Sequence, residues 1–199
     1  MSSGEEKSWQ ILKDLKPAGV CKNAMVSFDD ATGIYLLKSF GMDLYVAPEN
    51  KSIYSDAPYA DLLLNRLGYF SRLSIPCYLT SAMDIPLTGR LIQPGNVKGG
   101  DIFFRGTHVL PLDKLALKYG QDKAGFLKRG ADLGGMRMNY GDASVKLFPF
   151  PRLPVVIILW QEDDEFPPRA DILFDSSCEF HLALDILWST AMECLLIMM

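Results

Sequence analysis

One of the two histidines, His181, lies in a polar series that is spaced for a single helix face. Every fourth position of the apolar C-terminal segment is polar: His181, Asp185, Ser189 and Glu193. Imidazole is a common protein ligand for iron or cobalt in a macrocycle such as haem or cobalamin, and a carboxylate such as Asp185 can fix its tautomer. The pattern therefore offers a cofactor or metal site at His181 and Asp185. The alternative is the solvent-facing side of a buried helix.

The densest acidic run, residues 162–165, is the second candidate site. Its carboxylates, beginning with Glu162 and Asp163, are the oxygen ligands that Ca²⁺ and Mg²⁺ prefer, so they offer a metal site. Adjacent residues of a tight turn point to different sides, which makes a solvated hairpin turn the alternative. Phe166 follows directly with Pro167 and Pro168. We expect these three side chains to fold back and give the site an apolar wall.

The spacing of the cysteines and the absence of known motifs argue against several kinds of metal site and enzyme. The four cysteines lie far apart, which excludes a local zinc knuckle and a local iron–sulfur binding run. Cys178 precedes His181 by three residues, but neighbours on one helix face rarely have the geometry of a thiolate–imidazole pair. The sequence also lacks the phosphate-binding loops and the hydrolase, metalloprotease and kinase motifs that would indicate a reaction.

Hydrophobic periodicity predicts the elements that position these groups. Helical spacing covers four segments, which are residues 8–16, 58–73, 111–119 and 122–133. Residues 24–55 contain four short strand patterns separated by turn residues. Residues 144–150 predict another strand, and the apolar, β-branched run 155–160 predicts a central strand with residues 171–174 as its neighbour.

A closing helix is predicted to begin at residues 175–177, which offer N-cap groups, and to run to the end of the chain. Asp175 is expected to be structural there, because its carboxylate can accept from free backbone N–H groups. The sequence therefore predicts a single α+β domain over residues 1–199. Its mostly antiparallel sheet comprises an N-terminal strand meander and a late β-hairpin, with a helical middle and the closing C-terminal helix.

The charge and hydropathy of the sequence argue against nucleic acid and membranes as partners. Lys and Arg number 20 against 24 Asp and Glu, which argues against broad binding of nucleic acid through its phosphates. The apolar C-terminal run is too short to span a bilayer, and no signal-peptide pattern is present, so we expect a cytoplasmic protein that does not bind membranes. Residues 101–141 are net basic and residues 142–199 are strongly acidic. This asymmetry predicts that the two segments pair, or that the basic one meets an anionic ligand.

Several segments resemble the motifs of one known family. They are LWQEDDEFPP at 159–168, ILFDSS at 172–177, PLTGRL at 86–91 and ADLGG at 131–135. Together they are similar to an uncharacterised family of proteins of about this length from anaerobic bacteria and archaea. Glu162 stands where other members tend to have Gly, and Asp185 is expected to replace a glutamate that members often carry in the closing helix.

The resemblance implies a setting in anaerobic cofactor chemistry. Some family members carry an iron–sulfur domain of the corrinoid iron–sulfur protein type, and this chain lacks the cysteines for such a cluster. We therefore expect a cofactor-binding or accessory protein linked to corrinoid, haem or iron–sulfur enzymes, with cobalamin or haem as possible ligands. A small metal-dependent enzyme that uses the acidic hairpin, or an interaction module without a ligand, remain alternatives. The His181 series and the hairpin are expected to lie close together in space.

Overall fold

A computed structural model of the chain describes residues 3–199. Within them the chain forms six α-helices, which are α1 (Ser3–Asp14), α2 (Pro17–Ala24), α3 (Gly68–Ser81), α4 (Leu112–Tyr119), α5 (Lys123–Asp132) and α6 (Leu184–Met198). The strands are β1 (Ser27–Asp29), β2 (Ile34–Ser39), β3 (Met42–Ala47), β4 (Ser52–Tyr54), β5 (Leu91–Ile92), β6 (Met136–Met138), β7 (Ala143–Phe150), β8 (Leu153–Trp160) and β9 (Arg169–Asp175). None of the helices in this part of the chain is long and apolar enough to cross a membrane.

The first sheet is an antiparallel meander in the order β1-β2-β3-β4. Alternation along β2 and β3 buries Tyr35, Leu37, Leu44 and Val46 on one face, as expected for a sheet that is covered on one side only. The turn between these strands uses Gly41 at a φ of +74°, a conformation in which a side chain is strained. The predicted meander is therefore confirmed, although its first strand begins at Ser27 because residue 24 ends α2.

The second sheet is antiparallel and has the order β5-β9-β8-β7-β6. β8 occupies its centre, and every residue from Leu153 to Leu159 is buried, which explains the uninterrupted apolar run. β9 pairs with β8 from Trp160–Arg169 to Val155–Phe174. The predicted central strand, its neighbour and the α+β fold are confirmed, with two antiparallel sheets in place of one.

Two helical predictions are wrong in their boundaries. The first predicted helix, residues 8–16, begins earlier, at Ser3, and ends at Asp14, and Pro17 then occupies the first turn of a separate helix, α2, where its missing N–H has no intrahelical role. The predicted helix 58–73 is interrupted by a π-helical turn at Leu62–Arg66, and α3 then continues through Pro76. Ile75, Tyr78 and Leu79 are buried along α3. Tertiary packing of this face therefore outweighs the unfavourable proline.

The two sheets meet at the β2–β3 turn. The N–H of Phe40 donates to the carbonyl oxygen of Phe148 in β7 at 2.8 Å. Gly41 lies against Gly134, which follows α5 at a φ of +66°, and a Cβ on Gly134 would lie 2.7 Å from the Cα of Gly41. The glycines of the ADLGG segment therefore end a helix and also allow two backbones to touch.

The C-terminal end of α6 is held by the basic middle of the sequence. The guanidinium of Arg129 donates to the carbonyl oxygen of Ile197 at 2.5 and 2.9 Å, and the Tyr119 hydroxyl donates to that of Met198 at 2.6 Å. The ammonium of Lys118 donates to the carbonyl oxygen of Met199. These cations lie where the helix dipole is negative. Part of the basic segment thus binds backbone carbonyls of α6. Its ion pairs, Arg105 with Asp101 and Lys128 with Asp132, stay within residues 101–141, and among the described residues no ion pair joins this segment to the acidic residues 142–199.

Candidate functional site

Strand β9 separates the two regions that the sequence singled out. The acidic hairpin, residues 161–168, precedes its first residue, and Asp175 is its last residue. Seven residues of extended strand span about 20 Å, so the two regions lie at opposite ends of the second sheet. The prediction that the hairpin folds over the start of the closing helix, beside His181, is wrong.

At the far end of β9, Asp175 holds the loop formed by residues 82–90. Its Oδ1 accepts from the backbone N–H and the hydroxyl of Thr88 at 3.1 and 2.9 Å, and its Oδ2 accepts from the N–H of Gly89 at 2.8 Å. Ser177 donates its N–H at 3.0 Å and its hydroxyl at 2.7 Å to Oδ1. Burial alone would raise the pKa of Asp175, but the hydrogen bonds from Ser177 and Thr88 outweigh burial and lower it. Asp175 is therefore a buried anion with a full set of donors.

Arg152 holds the middle of the 82–90 loop. Its guanidinium donates to the carbonyl oxygen of Ile85 at 2.9 Å and to the carboxylate of Asp84 at 2.5 Å. It also donates to the carbonyls of Lys22 and Asn23, which ties the loop to α2. Buried charged groups need such complete pairing. The loop is thus rigidly positioned, while most of its side chains remain exposed.

His181 completes this network from the buried side. It follows a 3-10 turn at Cys178–Phe180 and precedes α6, because the closing helix begins at Leu184 and not at residues 175–177. Its Nδ1 accepts from the N–H of Met83 at 3.4 Å. Burial, and then the positive charge of Arg152, lower the pKa of His181, so the ring is neutral at pH 7.

This geometry does not fit an axial ligand to haem or cobalamin. A neutral imidazole that accepts at Nδ1 carries its proton on Nε2, and that nitrogen is buried without a partner among the described residues. Coordination needs a lone pair on Nε2, which requires the other tautomer and the loss of the Met83 hydrogen bond. His181 is also fully buried, so a macrocycle has no access to it.

The polar series predicted for the closing helix divides into two environments. Asp185 is exposed in the first turn of α6 and makes no hydrogen bond to His181, so it does not set the tautomer. Glu193 is buried inside the protein, where both carboxylate oxygens lie 3.1 Å from the hydroxyl of Ser74 on α3. The interpretation of the series as a solvent-facing side is therefore wrong for His181, Ser189 and Glu193, which are all buried.

Two carboxylates of the acidic hairpin already accept hydrogen bonds, one from its own turn and one from a neighbouring turn. Asp163 Oδ1 accepts from the N–H of Glu165 at 2.9 Å and of Phe166 at 2.8 Å. The carboxylate of Glu162 accepts from the amide of Gln121, beyond α4. Across residues 3–199, no three His, Cys, Asp or Glu side chains are grouped closely enough to hold a metal ion. Glu162, Asp163 and His181 therefore form no common metal site.

The hairpin does form one side of a groove of about 460 Å³, which we call the hairpin groove. The Trp160 side chain lines it, with the guanidinium of Arg169 over the ring at 4.1 Å from its centroid. Phe166, Pro167 and Pro168 supply the expected apolar wall, and Phe166 is 65 % exposed. This apolar wall lies beside Trp160 and not beside His181. This groove can take an apolar group and surround it with carboxylates.

Comparison with protein families matches residues 16–196 to the domain of unknown function DUF3786. The chain belongs to this family. The resemblance to an uncharacterised family is therefore confirmed. No curated protein and no solved structure matches the chain.

The structure gives the motifs of this DUF3786 domain a shared physical role. Thr88 and Gly89 of the PLTGRL segment bind Asp175 of the ILFDSS segment, and the N–H of Ser176 donates to the carbonyl oxygen of Arg90 at 2.9 Å. β5 then continues this contact as the edge partner of β9. Two motifs that lie far apart in sequence therefore build one rigid loop anchor. The LWQEDDEFPP segment lies at the other end and builds the hairpin groove.

Proposed function

We propose that this DUF3786 domain is a cytoplasmic accessory protein of anaerobic cofactor metabolism that binds a partner protein through the hairpin groove. The observation that supports the proposal is an aromatic and proline surface with an acidic rim. Phe166 is 65 % exposed in the same groove as Trp160, and the carboxylates of Asp142 and Asp163 line that groove. Exposed aromatic groups of this kind are frequent anchors of protein interfaces.

The charge of the rim selects the kind of partner. Asp142 and Asp163 line the groove, and Asp164 and Glu165 extend the negative surface next to it. A complementary segment carries an apolar side chain for the groove and Lys or Arg residues around it. We propose a corrinoid or iron–sulfur protein as this partner, because the family resemblance noted in the sequence implies that some members carry an iron–sulfur domain of the corrinoid iron–sulfur protein type.

In this proposal the partner, and not His181, holds the cofactor. The tautomer and burial of His181 argue against direct ligation of cobalt or iron, and Asp185 is too exposed to assist it. A metal-dependent enzyme centred on the hairpin is a weaker proposal, because Asp163 is occupied by backbone N–H groups and Glu162 by Gln121. The 82–90 loop and its anchors serve as scaffold.

The test is a binding titration with a purified corrinoid iron–sulfur protein. Phe166→Ala is expected to weaken binding at least about tenfold, as an anchor residue does. Leu117→Ala is the matched control, because Leu117 is 74 % exposed on α4 and does not line the groove. Raising the salt concentration should lower the affinity of the wild-type chain. Absence of binding, or equal binding by the Phe166 and Leu117 variants, would reject the proposal.

A second titration separates direct cofactor binding from the accessory role. Cobalamin and haem are added to the isolated wild-type chain and to His181→Ala, and the absorbance spectrum of each ligand is followed. We expect no spectral change that depends on His181. A change in the wild type that the variant loses would assign the cofactor to His181 and overturn the accessory proposal.

A further inference from the structure

His181 joins the end of α3 to the start of the 82–90 loop, a contact that the partner binding proposed above does not use. It is fully buried, whereas His108, the other histidine of the sequence, is exposed. Its carbonyl oxygen accepts from the hydroxyl of Ser81, the last residue of α3, at 2.6 Å. Its ring accepts at Nδ1 from the N–H of Met83 at 3.4 Å. The histidine therefore fixes the backbone where the helix passes into the loop.

Two charged groups act on the ring, and each comes from a different element. Arg152 lies in the turn between β7 and β8 and disfavours a positive charge on the ring, whereas Asp175 at the end of β9 favours one. Burial and Arg152 outweigh Asp175, so the pKa of His181 lies below its ordinary value of 6.5. The carboxylate of Asp175 already accepts five hydrogen bonds, none of them from the ring. The closed loop therefore favours the neutral imidazole.

The other charged and titratable side chains around this contact are engaged elsewhere. Asp84, the acid of the loop itself, binds Arg152. Glu179 on the 3-10 turn accepts from the N–H of Lys98, and Asp185 on α6 is exposed. Burial raises the pKa of the thiols of α3 and of the 3-10 turn, which keeps them neutral. The ring of His181 is therefore the titratable group that binds the backbone at the start of the loop.

Protonation reverses the role of the ring in this contact. The added proton goes to Nδ1, because the neutral ring carries its proton on Nε2. Nδ1 then becomes a donor, so that two N–H groups face each other where the N–H of Met83 had an acceptor. Nε2–H has no acceptor among the described residues in either state. Water supplies acceptors to both ring nitrogens only when the loop opens, so a protonated ring favours the open loop.

The other end of the loop responds differently to acid. Thr88 and Gly89 donate to Asp175, and these hydrogen bonds hold the pKa of that carboxyl below its ordinary value of 3.8. Asp175 is therefore still an anion at pH 5 and keeps its donors. The two ends of the loop are thus held by groups that titrate in different pH ranges.

We propose that the contact between His181 and Met83 is a pH-sensitive switch, in which protonation of Nδ1 releases the start of the 82–90 loop while Asp175 keeps residues 88 and 89 in place. The open state takes up the proton with the ordinary pKa of about 6.5, and the closed state takes it up at a lower pH. The open fraction therefore rises as pH falls below about 6.5, by up to about tenfold per pH unit until the folded pKa is reached. This proposal does not depend on the partner proposed for the hairpin groove.

The test measures amide hydrogen exchange of the ¹⁵N-labelled chain by NMR at pH 7 and at pH 5. Each exchange rate is compared with that of an unfolded peptide at the same pH, which gives a protection factor. We expect the protection factor of the Met83 N–H to fall at least about threefold at pH 5. The N–H groups of Thr88 and Gly89 and those of β8 should lose no protection. Unchanged protection of Met83 would reject the proposal.

Two histidine variants decide whether the ring is the cause. His181→Asn puts an amide oxygen near the place of Nδ1, where it can accept from Met83 without titrating, so Met83 should be equally protected at both pH values. His108→Asn is the matched control, because His108 is exposed and lies outside the loop, and it should keep the pH dependence of the wild type. The proposal is wrong if His181→Asn keeps that dependence, or if β8 loses protection together with Met83, because the opening is then global.

A second measurement uses the wild-type chain and does not require His181→Asn to fold. The ring C–H signals of the two histidines are followed from pH 8 to pH 4.5, and His108→Asn identifies which signals belong to His181. We expect the ring of His181 and the N–H signal of Met83 to titrate with one common midpoint below pH 6.5. Different midpoints, or loss of Met83 protection while the ring stays neutral, would overturn the proposal.

Discussion

Asp175 and Glu193 are both buried carboxylic acids, but they meet very different numbers of donors. Asp175 accepts five hydrogen bonds from Thr88, Gly89 and Ser177, and its pKa is below the ordinary value. Glu193 meets only the Ser74 hydroxyl, and burial raises its pKa to about 8. The comparison shows that the supply of donors, and not burial alone, decides whether a buried carboxyl is charged.

At neutral pH the Glu193 carboxyl is therefore protonated. The Ser74 hydroxyl donates to its carboxyl oxygens at 3.1 Å, and the same hydroxyl lies 3.5 Å from the carbonyl oxygen of Ser71. One shared donor does not offset the cost of burying a charged carboxylate, so Glu193 keeps its proton. Asp175 needs the opposite state, because every group around it is a donor.

The largest effect is expected for Asp175→Ala. The substitution leaves the N–H groups of Thr88 and Gly89 without their acceptor in a buried site, and we expect a loss of about 4 kcal/mol in the free energy of unfolding. Urea denaturation at pH 7 measures it. Asp175→Asn keeps one acceptor oxygen and should lose about half as much. A loss below about 1 kcal/mol for the alanine variant would contradict the role of Asp175 as loop anchor.

Glu193→Gln should change the pH dependence of stability. The folded pKa of about 8 exceeds the ordinary value of 4.5, so the folded state holds the proton more tightly and its stability falls as pH rises from 4.5 to 8. Relative to Glu193→Gln, the wild type should lose about 3 kcal/mol between pH 5 and pH 8. Parallel profiles for the two proteins would show that Glu193 does not titrate in this range.

The Asp175 contribution has the opposite sign. Because its folded pKa lies below the ordinary value of 3.8, the stabilisation is present above that pH and is lost as pH falls through the folded pKa. The profile of Asp175→Asn compared with the wild type should therefore differ most above pH 4 and converge in stronger acid. If the stability profiles of the two proteins converged at high pH instead, the pKa of Asp175 would be raised in the folded state and not lowered.

The smallest effect is expected for Asp163→Ala. Asp163 also accepts two backbone N–H groups, but its turn is exposed, so water replaces the lost acceptor. We expect a change of about 0.5 kcal/mol in the free energy of unfolding, measured by the same urea titration. A loss as large as that expected for Asp175→Ala would show that the burial of the donors does not decide the size of the loss.

The sequence predicted the elements whose pattern is local. The β-branched run of β8 needed no knowledge of its neighbours, and the alternation of β2 and β3 indicated the meander. The helix through Pro76 was missed because its stability comes from packing on other elements. The separate helix α2 was missed because a proline can occupy the first turn of a helix as well as follow the end of one.

The candidate site was less predictable, because its partners are distant in sequence. Arg152 joins Asn23 and Ile85, and Asp175 joins Thr88. No spacing rule connects such residues. The segments that resemble family motifs were the available signal, because two of them turned out to contact each other. Helical spacing grouped His181 with Asp185, but the 3-10 turn at Cys178–Phe180 removes His181 from the helix.

The central place of β8 has a consequence for solubility. Its six residues from Val155 to Trp160 carry no charge and no proline and are strongly apolar, which is the composition of a segment that stacks with copies of itself. In the folded chain β7 and β9 cover both of its edges, and the sheet ends in the short strands β5 and β6, which offer few free backbone groups to another molecule. We therefore expect chains that open between β8 and β9 to expose this segment and to aggregate more readily than the closed fold.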